Sequence, residues 1–166
     1  MKVGGIGLRD HVRLLAPHFV LIAGVFALRL IVAAADSPSW IIRLVSVTTM
    51  TGFCILLAVA LLHFRHSAGY ANVVLSVFLI NLWAQSLIMA AIAVSVWTGT
   101  PNVYTYPEYS YSGHDPAHTK HLLGHLSGGV GLVTLEGAAV GSLFLALLRR
   151  FLPVRRRPAG DRTGLQ

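Results

Sequence analysis

Apolar residues in this chain do not alternate with polar ones. They gather into four long runs, at about residues 17–35, 41–64, 70–97 and 122–148, separated by short polar breaks. A bilayer core about 30 Å thick needs about 20 helical residues to cross it, and each run is near or above that length. Backbone groups in hydrocarbon must find hydrogen bonds within their own segment, so the runs predict helices. The expected fold is an all-α integral membrane protein, a four-transmembrane-helix bundle with N-in/C-in topology. Residues 1–16 form a basic cytoplasmic N-terminus, 17–152 the transmembrane domain, and 153–166 a basic cytoplasmic tail without stable structure.

The breaks carry their own signals. Asp36-Ser-Pro-Ser-Trp40 is a turn ending in an interfacial Trp. A second turn follows His63. The third break, the extracytoplasmic loop 98–117, is the longest. It contains Pro101, Pro107, Pro116 and the pairs Tyr104/Tyr106 and Tyr109/Tyr111. Such a loop is long for a simple connection and is expected to cover the outer surface.

Composition agrees with a lipid solvent. Only 11% of residues are charged, against about 25% in soluble domains. The net charge of +7 would suggest a nucleic-acid partner in a soluble protein, but here the basic residues flank apolar runs, which argues for a lipid bilayer and against nucleic acid. Lys2, Arg9, Arg13, Arg65 and the Arg149–Arg157 group fall on one side, while Arg43 and Lys120 fall on the other. The positive-inside rule then places both termini in the cytoplasm, and the expected location is a bacterial plasma (inner) membrane. Ala33-Ala34-Ala35-Asp36 resembles a signal-peptidase site, but Arg29 interrupts the would-be signal core. Cys54, alone and inside an apolar run, predicts no disulfide or thiol redox chemistry.

Polar residues inside the runs mark two places for chemistry. Arg29, Asn81, Gln85 and Glu136 fall at similar estimated depth, with Thr48, Thr49 and Thr51 near them. A charge at mid-membrane costs at least about 2.5 kcal/mol, so an Arg29–Glu136 ion pair supported by Asn81 and Gln85 is expected. The layer would hold the helices together, line a transport or proton path, or join subunits. Gly124-x3-Gly128 and Gly137-x3-Gly141 allow close helix approach, within the monomer or in a homo-oligomer through span four.

The second place is Ser112–His125, which holds four of the eight histidines. Asp115-Pro116 reads as a helix start. His118, His121 and His125 would then share one helical face. His118 and His125 are about 10.5 Å apart along the axis, too far for one ion. The predicted ligand sets are therefore His121 with His125, or His118 with His121, completed by His114, Asp115 or Glu108. Nitrogen and oxygen donors in that number suit Zn²⁺, Cu²⁺ or Ni²⁺. A solvated His-rich helix start and a pH-responsive group are the competing explanations.

Other functions have thinner support. Haem b in an electron-transfer subunit would need two imidazoles at one depth, and His18 and His63 are the inner candidates. On the outer side Met50 or Met89 would have to assist. No nucleophile with a paired base, phosphate-binding loop or carboxylate pair is visible, so an enzyme is not expected. A structural accessory subunit of a larger membrane complex remains a third class.

Overall fold

The computed structural model describes residues 2–65, 69–108 and 118–153. It is all-helical apart from a hairpin of two short strands, β1 (Lys2–Val3) and β2 (Ile6–Gly7). Gly4 and Gly5 turn that hairpin at φ +54° and +86°, backbone values that a two-residue turn requires and glycine adopts without strain.

Helix α1 (Leu8–Ala34) follows at once. It begins nine residues before the expected start at Pro17. His11, Leu15, His18 and Ile22 are all buried at helical spacing, so the inward face continues through the polar flank. Pro17 costs this helix one amide donor, which the packed face on either side outweighs. After α2 (Ser39–Leu44), Ser46 caps α3 (Val47–Phe64) by accepting the Thr49 amide at 3.3 Å. Helix α4 (Tyr70–Thr98) ends on Gly99 in the left-handed conformation. The last helical stretch has three parts: α5 (Thr119–Gly124), a wide π-helical segment (His125–Leu132) and α6 (Val133–Phe151). Four stretches are long and apolar enough to cross a membrane: Leu8–Ala34, Ser39–Phe64, Tyr70–Thr98 and Thr119–Phe151.

Helices α3 and α4 form the central pair. Helix α1 packs on both, and α6 packs on both, but α1 and α6 lie on opposite sides of that pair. The seam of α6 is built on two glycines. A Cβ on Gly137 would stand 2.9 Å from Val77 Cγ1 and 3.2 Å from Ile55 Cδ1. One on Gly141 would stand 3.1 Å from Val73 Cγ1 and 3.3 Å from Val59 Cγ2. Without those hydrogens-for-methyls, α6 could not sit so deeply between α3 and α4. The Gly137-x3-Gly141 motif thus packs inside the monomer, whereas Gly124 and Gly128 have no atom within contact range of a would-be Cβ.

Side chains close both ends. At the end bearing the termini, Asn72 Nδ2 donates to Gly4 O (3.3 Å) and His63 Nε2 donates to Leu152 O (2.9 Å). At the other end residues 102–106 fold into a turn. Asn102 Nδ2 donates to Ala91 O and Asn102 Oδ1 accepts the Tyr104 amide, at 2.8 and 2.9 Å. This buries Val103, Tyr104 and Thr105, so the first half of the long loop plugs the bundle mouth.

Candidate site between α4 and the last helix

The site is best followed from the loop inward. His118 stands just ahead of α5 at φ +50°, and Thr119 begins the helix. The expected start at Asp115-Pro116, and the candidate ligands His114 and Asp115, lie outside the described residues. The His118 ring is 6.2 Å from that of His121, and His121 is 4.9 Å from His125, centroid to centroid. His121 Nε2 and His125 Nε2 approach to 3.1 Å. On its far side, His125 Nδ1 meets Gln85 Oε1 of α4 at 2.7 Å. With Gln85 Oε1 as acceptor, Nδ1 carries the proton and Nε2 turns its lone pair towards His121. Of the two ligand pairs the spacing allowed, His121 with His125 is the one brought to contact.

Why His125 reaches Gln85 is a matter of backbone. The π segment winds wider than an α-helix, and π-helical turns recur at functional sites. The Val133 amide bonds back five residues, to Gly128 O, and passes over Gly129 O. That carbonyl instead accepts Asn81 Nδ2 at 2.8 Å, and the same nitrogen lies 3.0 Å from Thr134 Oγ1. Gly129 also clears the way for Gln85, since a Cβ there would fall 2.6 Å from Gln85 Cδ and Oε1. Asn81 and Gln85, one turn apart on α4, therefore clamp the π segment while presenting Gln85 to His125.

This joins two features that the sequence kept apart. Gln85 and Asn81 belonged to a mid-membrane layer, and the histidines to an outer surface. Gln85 is 15 residues, or about 22 Å, from the start of α4 and 13 residues, or about 20 Å, from its end. His125 touches it and therefore lies level with the middle of α4, half-buried against that helix. A cleft of about 340 Å³, lined by Ser95, Val96, Gly99, Pro101, Thr105 and His118, opens at the loop end of the same polar line.

Three expectations need correction. Arg29 and Glu136 form no pair. Helices α1 and α6 are on opposite flanks of α3–α4, Glu136 is exposed, and the Arg29 guanidinium lies over the Tyr104 ring at 5.2 Å. Tyr104 in turn stacks on Phe26, 5.4 Å between centroids and 15° between planes. Its burial pushes the Tyr104 phenol up to about 12, partly opposed by the Arg29 charge. Arg29 thus leaves the expected layer for the loop end, while Glu136 keeps its place along the helix but is exposed on the bundle surface. Thirdly, His18 and His63 are not at one level. Cys54 Sγ reaches His18 O, and Cys54 precedes His63 by nine residues, about 13 Å along α3. His63 Nε2 is already committed to Leu152 O. His18 and His63 are therefore not placed to share one haem.

What the pair offers chemically is two convergent nitrogens. At about 2.0–2.1 Å from a common ion, nitrogens 3.1 Å apart subtend about 100°, near a tetrahedral angle. Gln85 supplies the outer-shell hydrogen bond that fixes a ligating imidazole's tautomer and ring plane. Among the described residues, no group of three or more His, Cys, Asp or Glu side chains is assembled for one ion. Sequence reasoning missed Gly129, Thr134 and Tyr104. The matched i, i+4 pairs Asn81/Gln85 and His125/Gly129 were the signal that could have shown two facing helices. No family model matches the chain, and no curated protein or solved structure matches it either.

Proposed function

We propose that this chain is an integral membrane protein of the plasma (inner) membrane that holds a divalent transition-metal ion inside its helix bundle. His121 and His125 are the protein ligands, Gln85 orients His125, and the role is metal handling or service as a subunit of a larger membrane complex. Both termini lie in the cytoplasm. Support for this orientation comes from charge: Lys2, Arg9, Arg13, Arg65, Arg149 and Arg150 gather at the end bearing the termini, against Arg43 and Lys120 at the other. The cleft beside His118 is then the extracytoplasmic entrance.

The observation that carries the metal reading is the 3.1 Å approach of two imidazole Nε2 atoms, one of them locked from behind by an amide oxygen at 2.7 Å. Imidazole pairs favour Zn²⁺, Cu²⁺ or Ni²⁺ over Ca²⁺ or Mg²⁺. Water completes the coordination. The test is elemental analysis and calorimetry with Zn²⁺ on the detergent-purified chain. About one ion per chain is expected, and a His121→Ala, His125→Ala double variant should lose it. Equal Zn²⁺ binding by parent and variant overturns the reading.

A further inference from the structure

Three histidine rings stand in file along the start of the last helical stretch, and the ion site described above uses only the inner two. The third, His118, is half-exposed and forms part of the wall of the cleft of about 340 Å³ at the loop end. Its backbone is held at φ +50°, a conformation that His adopts more readily than most residues. The rest of the wall is fixed by its own hydrogen bonds: Ser95 Oγ donates to Thr100 O at 2.8 Å, and the Asn102 amide donates to Thr105 Oγ1 at 2.9 Å. The cleft is therefore preformed, and His118 belongs both to it and to the file. With a metal–nitrogen bond of about 2.0 Å, the centroid of a ligating ring stands about 3.2 Å from the ion, so two rings on one ion keep their centroids about 5 to 6 Å apart. His121 and His125, at 4.9 Å, match the tetrahedral end of that range. His118 and His121, at 6.2 Å, match its wide end.

We propose that His118 is the capture ligand of this site: it takes the ion from the cleft, holds it together with His121, and yields it to the His121–His125 pair. The inference rests on the metal reading above and extends it to the route by which the ion enters and leaves. His121 belongs to both pairs. One metal–nitrogen bond, to His118, breaks and another, to His125, forms, while His121 keeps its own. The inner pair is the tighter of the two, because Gln85 fixes His125 from behind at 2.7 Å, whereas the outer pair borders the open cleft. Past His125 the way is closed. Asn81 Nδ2 occupies Gly129 O, and further along Gly137 and Gly141 sit against Ile55, Val59, Val73 and Val77. A bare ion does not enter such apolar packing, so loading and release both pass His118.

The test is stopped-flow exchange of Zn²⁺ with a zinc-responsive dye, on the full detergent-purified chain and its His118→Asn variant. Asn tolerates the left-handed backbone, so this change removes the imidazole and keeps the turn. One barrier is crossed in both directions, so loading and release should each slow about tenfold while Kd stays within about twofold of the parent. Val96→Trp, which narrows the cleft and leaves all three histidines in place, should slow both rates as well. Unchanged rates in either variant overturn the proposal. So does a His118→Asn variant that loads at the parent's rate but binds about tenfold more weakly, since His118 would then be a ligand of the final site. A parent that takes up no Zn²⁺ defeats the metal reading itself, whereas a parent that binds Zn²⁺ with exchange rates indifferent to His118 defeats the capture step alone.

Discussion

The two halves of the last helical stretch face the same neighbour, α4, and do so by opposite means. From Val133 onward α6 is a regular helix whose Gly137 and Gly141 accept Val73, Val77, Ile55 and Val59. Contact there is dispersion between close-packed surfaces, with nothing that a ligand could take up. From His125 to Leu132 the backbone is π-helical, and α4 meets it through Asn81 and Gln85. Polar contacts of that kind are directional, so they set rotation and depth of the helix rather than merely holding it close. The lesson is a division of labour. The glycine seam anchors, and the anchored helix lets the wider turns above it aim a histidine at a glutamine.

That comparison can be broken most severely at the seam. Gly137→Leu places a branched side chain where a bare Cβ would already be 2.9 Å from Val77. Overpacking of this sort is expected to cost about 3 kcal/mol. A fall in Tm of the purified protein, with loss of zinc binding as a secondary consequence, is the expected result. An unchanged Tm would mean that α6 does not sit as deeply as described.

A subtler change sharpens it. In Gly129→Ala the new methyl displaces Gln85, 2.6 Å away, and so releases His125 from behind. Metal affinity should fall roughly tenfold or more, the usual loss when an outer-shell partner goes, while Tm moves little. Gln85→Ala should give the same loss by calorimetry. If affinity in both variants equals that of the parent, the Gln85 contact has no part in ligation.

The smallest effect lies at the loop end and concerns pH. The Tyr104 phenol is raised from 10 to about 12 by burial. A group raised in this way lends stability that is complete below pH 10 and is lost as pH climbs from 10 towards 12, because the unfolded phenol ionises first. Helicity followed by circular dichroism should therefore weaken across that window in the parent. Tyr104→Phe should remove that part of the pH dependence. Identical alkaline profiles for the two would show that Tyr104 is not held in the buried stack with Phe26 and Arg29.

Much of the architecture was legible from residue order alone. The four apolar runs became four long helices because hydrophobicity and helix formation are local and additive, and each run carries its own instruction. Boundaries were less legible. Leu8–Ala16 reads as a polar flank because Arg9, His11 and Arg13 interrupt it, yet His11 and Leu15 lie on the buried edge of α1. The histidine spacing left two ligand pairs open and could not choose between them, since the choice depends on which ring meets a partner from another helix.

Partnership across helices was the part only tertiary structure could decide. Arg29 and Glu136 have opposite charges and similar estimated depth, but α3 and α4 stand between their helices. His125 and Gln85 are 40 residues apart and carried no mutual signal, but a π-helical turn and the missing side chain of Gly129 bring them to 2.7 Å. The physical reason is the same in both cases. A helix's existence follows from its own residues, whereas its rotation and its neighbours follow from how several surfaces fit at once, and chemistry inside the bundle is written in those rotations.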